Sequence, residues 1–202
     1  MQSTRSHDLE RFTLTRRGWL GHAGAGALAL GVPLLGRAAE ADSTFDETST
    51  LKAVTDFFGQ TTEGLAQVVA KVFKEQGQPN GYLRGEEVAA AVTAGVRYGE
   101  GELVMKSGAT RKVYWAGPSI GFDLGANASK VFVLVYKLED PDAIFKRFPG
   151  VDGSLYYVGG VGLNYQRADG VTLAPIRLGA GLRAGASVGY THYRREKSLN
   201  PL

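Results

Sequence analysis

The chain has 202 residues and no cysteine, which excludes disulfide bonds, thiolate catalysis and a lipidated cysteine anchor. Its formal net charge is +3, but five arginines and three acids lie in residues 1–41, so residues 42–202 carry a net charge of +1. This balance leaves no excess of positive charge for phosphate contacts and argues against a nucleic-acid-binding protein. Hydrophobic residues make up 44% of the chain, enough for one globular domain with a buried core.

Residues 1–41 have the features of an export signal. Two consecutive arginines are followed by an aromatic residue and a leucine, an arrangement that resembles the twin-arginine motif. The apolar stretch that follows, residues 20–36, is short for a membrane span. We therefore predict export in the folded state, a periplasmic location, and no integral membrane segment after cleavage. The residues assigned to signal recognition are Arg16, Arg17, Trp19 and Leu20, and those assigned to cleavage are Ala39 and Ala41.

Two helices are predicted next. Residues 42–60 are expected to form a polar lead segment and a short helix that ends at Gly59. Thr62 is the predicted N-cap of a clearer helix that ends at Gln76. Its apolar residues follow the i, i+3, i+4, i+7 spacing, and its polar face carries mixed charges. This pattern favours packing against the domain over binding to a membrane surface.

The remaining chain has the pattern of β-structure. Residues 130–138 are apolar on both faces and are expected to form the most buried strand. A short helix is predicted near residues 141–148, where Asp140 is a suitable cap. Seven or eight strands joined by short turns predict a mainly β domain over residues 61–202. The expected architecture is a small soluble antiparallel β-barrel or a strongly bent sheet.

A sharp corner is predicted at Gly117 and Pro118, because proline lacks an amide donor and cannot continue a central ladder. One strand is expected to end there, and a second is expected over residues 119–124. In this second strand Asp123 falls on the small, polar side.

No catalytic or metal site has a specific signature. Ser119, Asp123 and His192 are the residue types of a nucleophilic triad, but no sequence feature places them together. One histidine after the signal and no cysteine leave no metal-ligand spacing. Residues 179–184 match the dinucleotide fingerprint by letter, but strand-like alternation follows where a helix is required. We predict no enzymatic activity, no metal and no cofactor.

Five residues are candidates for a ligand site. Arg177 and Arg183 lie on predicted strands, where an inward guanidinium needs a partner such as Asp123 or an anionic ligand. Exposure on the outer face is the alternative for both arginines. Trp115 and Tyr136 belong to a set of aromatic residues that either line a pocket or pack in the core, and core packing is the default.

Several glycine-rich blocks occur in order over about residues 50–202. They are G-Y-L-R-G-E-E (81–87), R-Y-G-E-G (97–101), Y-W-A-G-P-S-I-G-F-D-L-G-A-N (114–127), R-F-P-G-V-D-G-S (147–154), A-P-I-R-L-G-A-G-L-R-A-G-A (174–186) and V-G-Y (188–190). Together they resemble the envelope integrity protein A (EipA) family of Gram-negative bacteria. The resemblance implies a periplasmic protein with a small soluble β-barrel that supports cell-envelope integrity, and the family has no established enzymatic activity to carry over to this chain.

The W-A-G-P-S-I-G-F-D-L-G run (115–125) is also distantly similar to the SYLF lipid-binding domain, which implies a lipid ligand. The expected function is therefore support of the envelope by binding a lipid or another envelope component. A structural scaffold for an envelope protein partner and a hydrolase acting on envelope polymers stay open as alternatives. A deep apolar cavity would favour the first function, a filled barrel the second, and a cleft with two facing carboxylates the third.

Overall fold

A computed structural model describes residues 43–91, 94–120, 128–179 and 189–198. These residues form two α-helices, one short 3-10 helix and ten strands, and all of the strand pairs are antiparallel. The predicted mainly β fold with N-terminal helices is confirmed. Within the described ranges, neither helix has the length and apolar character that crossing a membrane requires.

The helix ends follow local sequence signals. Helix α1 spans Glu47–Phe58 and ends at Gly59, whose φ of 75° is easily adopted only by glycine. Helix α2 spans Glu63–Gln76 and follows Thr62, whose hydroxyl accepts a hydrogen bond from the amide of Leu65 at 3.2 Å. Both predicted helix ends, and the Thr62 cap, are confirmed.

The strands form one sheet that curls back on itself. Their order is β5-β10-β3-β2-β1-β4-β9-β7-β6, and β8 also pairs with β9. A bridge between Gly150 and Gln166 connects the end of β5 to β8, which gives the sheet its barrel-like form. The strands are β1 (Gly81–Ala91), β2 (Ala94–Met105), β3 (Thr110–Ile120), β4 (Ser129–Tyr136), β5 (Arg147–Pro149), β6 (Tyr156–Val158), β7 (Val161–Leu163), β8 (Gln166–Ala168), β9 (Val171–Leu178) and β10 (Tyr190–Arg194).

Each face of the sheet has its own apolar core. Strand β4 contributes to both cores with alternate residues, so residues 131–136 are all buried, as predicted. The outer core lies under the helices and includes Leu65, Val68, Val72, Phe132, Leu134, Tyr136, Tyr165 and Ile176. The inner core fills the concave side and includes Leu83, Leu103, Val113, Trp115, Val133, Val135, Phe148, Leu173 and Tyr193.

The predicted corner at Gly117 and Pro118 is wrong. Strand β3 continues through both residues and stays paired with β2 up to Ile120. In the part of the chain that the structure describes, β10 pairs with β3 only as far as Ala116. Pro118 therefore lies where the described ladder has a partner on one side, a position that tolerates a missing amide donor. Residues 121–124 of the predicted second strand lie outside the described residues.

The short helix predicted near residues 141–148 is also wrong in its extent. A single 3-10 turn spans Pro141–Ile144. Asp140 caps it, because its carboxylate accepts a hydrogen bond from the backbone N–H of Asp142 at 2.9 Å. Residues Arg147–Pro149 form β5 instead, because they pair with β10 and bury the side chain of Phe148. Tertiary pairing overrides the local helix signal here.

Candidate functional site

Three charged side chains are buried inside the barrel-like sheet, and we call them the buried ion cluster. Glu87 comes from β1, Arg97 from β2 and Arg177 from β9, and each is less than a tenth exposed. The cluster contains two guanidinium groups and one carboxylate. Burial of unpaired charge is costly, so these three side chains are the most unusual feature of the described interior.

Strand alternation explains why these side chains point inward. In β1, Glu87 shares a face with Leu83, which lies in the inner core. In β2, Arg97 shares a face with Leu103, and in β9 Arg177 shares a face with Leu173. The inward faces of these three strands therefore change from apolar to charged along their length.

Glu87 and Arg177 form a two-pronged ion pair. The Nε atom of Arg177 lies 2.5 Å from one carboxylate oxygen of Glu87, and its Nη2 atom lies 3.2 Å from the other. A third contact joins Arg177 Nη1 to the side-chain oxygen of Asn164 at 3.4 Å. This geometry matches the planar fork of arginine to the carboxylate and holds both side chains in place.

The indole of Trp115 completes the coordination of Glu87. Its Nε1–H donates to a carboxylate oxygen of Glu87 at 3.2 Å. The indole ring lies directly on the backbone of Gly99, where an added Cβ would overlap the ring, and it also approaches Gly85. Gly85 belongs to the G-Y-L-R-G-E-E block and Gly99 to the R-Y-G-E-G block. Because neither residue has a side chain, the indole of Trp115 can lie against the strand backbone.

Arg97 is less well paired than Arg177. Its Nη2 donates to the hydroxyl of Thr191 at 3.1 Å, and its buried Nε has no hydrogen-bond partner. Among the described residues, no carboxylate lies within ion-pair distance of Arg97. The same Thr191 hydroxyl accepts a second hydrogen bond, from the side-chain Nε2 of Gln166 at 2.9 Å. The cluster therefore keeps one positive charge that no described side chain neutralises.

The charges of the cluster determine its pKa values. Burial by itself raises the pKa of Glu87, but the charges of Arg177 and Arg97 and the hydrogen bonds outweigh it and lower that pKa to about 2. Burial and the like charge of Arg177 lower the pKa of Arg97. Burial opposes the charge on Arg177 too, but Glu87 more than compensates and raises its pKa. Glu87 is consequently ionised at neutral pH, and arginine side chains stay protonated in proteins.

The structure brings together two of the five predicted ligand-site residues, Trp115 and Arg177. Tyr136 lies in the outer core under the helices, where burial raises its pKa and its hydroxyl has no hydrogen-bond partner. It takes no part in the cluster. Asp123 and Arg183 lie outside the described residues, so the predicted pairing of Arg177 with Asp123 has no test here. The described partner of Arg177 is Glu87.

Two members of the cluster, Glu87 and Arg97, were not predicted. Both lie in blocks that carry the family resemblance, and alternation from Leu83 and from Leu103 would have assigned them to the inward face. Their partners lie far away in sequence: Glu87 pairs with a residue 90 positions later. Spacing along the chain gives no signal for such a pair.

Of the remaining candidates for catalysis, the structure describes the surroundings of His192. His192 lies on the opposite face of β10 from Thr191, beside Arg194, and burial and neighbouring arginines lower its pKa. Asp123, the third member of the imagined triad with Ser119, is outside the described residues. No set of three or more histidine or carboxylate side chains in the described ranges is arranged to hold a metal ion.

A groove of about 220 Å³ lies on the outer side of β1, β2 and β3, next to residues 194–198. Glu87 and Trp115 reach it from the interior, and Glu86 and Glu100 line it from adjacent strands. Val88, also in the lining, is 43% exposed and is the one large apolar side chain exposed to this degree in the described residues. Glu87 and Trp115 are the members of its lining that also contact each other in the interior.

Two comparisons relate this chain to other proteins. The model of the family described as Envelope integrity protein A matches residues 43–202. The chain is also similar to the crystal structure of a beta-barrel-like, uncharacterized protein from Brucella abortus, with 39% sequence identity and a TM-score of 0.74. That similarity covers 79% of this chain and 99% of the other. No curated protein matches the chain significantly.

Proposed function

The chain belongs to the envelope integrity protein A family, and from this membership we propose that it is a non-enzymatic periplasmic protein that supports the envelope by binding one of its components. The family name supports a role at the envelope. The observation that carries the binding part of the proposal is Arg97, a buried guanidinium whose Nε has no partner. A buried donor without an acceptor is costly, and a bound component would remove this cost.

The properties of Glu87 support a role in binding and not in catalysis. A general acid or base works best when its pKa lies near the operating pH. The pKa of Glu87 is about 2, and both of its oxygens already accept hydrogen bonds from Arg177 and Trp115. Glu87 is therefore suited to fixing Arg177 and not to transferring a proton.

The hydrolase alternative has weaker support. Glu86 and Glu100 are directly opposite each other on β1 and β2 and line the same groove. Both are exposed on a single face of the sheet, and not on opposite walls of a cleft. Acid and base roles require two environments that separate the pKa values of a carboxylate pair, and two neighbouring exposed positions do not provide them.

Export through the twin-arginine pathway is the basis of the proposed location. We expect replacement of Arg16 and Arg17 by lysine to retain the precursor in the cytoplasm, since the motif requires the arginine pair. Cells that carry only this variant should show the same sensitivity to detergent as cells without the protein. Fractionation and detergent survival are the measurements, and the unchanged chain is the control.

Periplasmic accumulation of the lysine variant at the normal level would contradict the export assignment. Full detergent resistance in cells that lack the protein altogether would contradict the envelope role itself. The two outcomes are independent, because the first concerns the signal and the second concerns the domain.

A protein scaffold is the second candidate, and the outer groove is the observation that favours it. The groove presents the exposed Val88 next to Tyr98 and Tyr114, and exposed apolar and aromatic groups are typical of protein interfaces. Mass spectrometry of protein purified from its own periplasm separates the two candidates. A co-purifying small molecule supports ligand binding, and a co-purifying protein that is lost with Val88→Asp supports the scaffold.

A further inference from the structure

We propose that Arg97 and Thr191 form a binding site for a small oxyanion, a carboxylate or a phosphate group, inside the barrel-like sheet. The proposal deepens the proposed function and rests on it in one respect, since the anion would belong to the envelope component that the protein binds.

The buried ion cluster carries more positive than negative charge. Arg97 is 8% exposed and Arg177 is 6% exposed, while Glu87, at 7%, is the one buried carboxylate in the described residues. Glu87 is fully committed to other donors, because it accepts two hydrogen bonds from Arg177 and one from Trp115. Glu87 attracts Arg97 through space, but no described carboxylate contacts Arg97, and the three buried side chains keep a net positive charge. An anion at this point would restore neutrality in a medium of low polarity.

The cluster also has an excess of hydrogen-bond donors. The Nε–H of Arg97 has no acceptor. The hydroxyl oxygen of Thr191 accepts hydrogen bonds from Arg97 and from the side-chain amide of Gln166, and among the described residues no acceptor is shown for its own proton. The side-chain oxygen of Gln166 accepts from Tyr193 at 3.2 Å and is not the acceptor that Arg97 needs. Two adjacent donors without an acceptor are the arrangement that an oxyanion satisfies.

The chemical class follows from the donors. Guanidinium groups bind carboxylate and phosphate oxygens in preference to halide ions, because their fork of N–H groups matches two oxygens held in a rigid geometry. A hydroxyl donor beside the fork adds a third contact. Because the anion must enter a packed interior, we expect either a small free anion or an anionic group at the end of a larger molecule.

The test is thermal unfolding of the full-length protein in phosphate, acetate and chloride at one ionic strength. A ligand that binds only the folded state raises Tm in a saturable manner, and we expect a rise of about 5 °C for phosphate or acetate over chloride. Arg97→Met should abolish this rise, because methionine keeps the bulk of the side chain without its donors. Arg84→Met is the matched control, since Arg84 is half exposed on β1 and pairs with Glu102.

An equal rise in all three proteins, or no rise over chloride in the unchanged protein, would overturn the proposal. The second of these results is expected if Asp123, which lies outside the described residues, supplies the missing negative charge. In that case Asp123→Asn would lower Tm and create a response to acetate that the unchanged protein lacks.

A second variant covers the case in which Arg97→Met does not fold. Thr191→Val removes the hydroxyl and keeps the shape of the side chain, and we expect it to weaken phosphate binding at least tenfold. The emission of Trp115 serves as the readout in a chain that also carries Trp19→Phe, because the indole contacts Glu87 within the cluster. If Thr191→Val leaves phosphate binding unchanged, the proposed site is contradicted. The same holds if phosphate changes neither the Tm nor the Trp115 emission of the protein that keeps Thr191.

Vesicles distinguish a lipid headgroup from a free anion. Binding to phosphatidylglycerol vesicles and not to phosphatidylcholine vesicles, lost in Arg97→Met, would identify a headgroup. A response to inorganic phosphate or acetate without vesicle binding would identify a soluble anion. Failure in every arm refutes the oxyanion site but leaves the envelope role intact, since detergent survival of cells without the protein tests that role separately.

Discussion

Glu87→Gln is expected to lower the free energy of unfolding by about 3–5 kcal/mol, because it leaves the buried guanidinium group of Arg177 without its paired carboxylate. Glutamine keeps the size of the side chain and one acceptor oxygen, so the effect reports the charge. Urea unfolding at pH 7 is the measurement.

The chain offers a matched control for this change. Glu102 on β2 pairs with Arg84 at 3.0 Å, but the two side chains are 46% and 50% exposed. Glu102→Gln should therefore cost less than about 1 kcal/mol. A similar small loss for both variants would mean that the Glu87 pair is not the buried interaction described above.

The same pair also predicts a dependence of stability on acid. Folding lowers the pKa of Glu87 from its ordinary value of 4.5 to about 2, so its stabilisation is complete above pH 4.5 and is lost as the pH falls toward 2. The unchanged protein should lose stability across this window. Glu87→Gln should show a flatter profile there, since it has no proton to gain at this position. Parallel profiles for the two proteins would contradict the lowered pKa.

Trp115→Ala is the second large effect, with an expected loss of about 3–5 kcal/mol. The indole is 4% exposed, packs against Tyr193 in the inner core and donates to Glu87. Trp115→Phe separates these roles, because it keeps most of the packing and removes only the donor. We expect the phenylalanine variant to fall between the unchanged protein and the alanine variant in urea unfolding.

Gly99 provides a coupled test of the same packing. Gly99→Ala places a Cβ on the indole ring and should cost about 1–3 kcal/mol in the presence of Trp115. In the Trp115→Ala background the same change should cost little, because the ring that it meets is gone. Additive losses in the double mutant would contradict the close approach of the indole to Gly99.

Local sequence signals predicted the elements whose structure depends on local chemistry. Thr62 and Gly59 mark helix ends through their own hydrogen bonding and backbone preference. The apolar run of β4 predicted a strand buried on both faces, because the run is short and rich in valine and aromatic residues. The mainly β class follows from repeated alternation, which does not depend on which strands become neighbours.

The features that were wrong or missed depend on contacts between distant segments. Pro118 was predicted to end a strand, but whether proline is tolerated depends on the partner strand at that point. Phe148 was assigned to a helix and lies in β5 because β10 pairs with it. Glu87 and Arg177 are in contact because their strands, β1 and β9, pair with opposite edges of β4 in the sheet. The sequence left Arg177 open between an inward charge and exposure on the outer face, and it did not indicate Glu87 as the partner.

The most direct test of the central claim compares Arg97→Met and Arg84→Met in cells that lack the unchanged protein. The central claim is that the uncompensated buried charge of Arg97 is what this family member uses at the envelope. Both variants should be exported and folded, as checked by Tm of the purified proteins, and survival in detergent is the measurement. We predict that Arg84→Met restores survival fully and that Arg97→Met does not. Full survival with a folded Arg97→Met protein would contradict the claim.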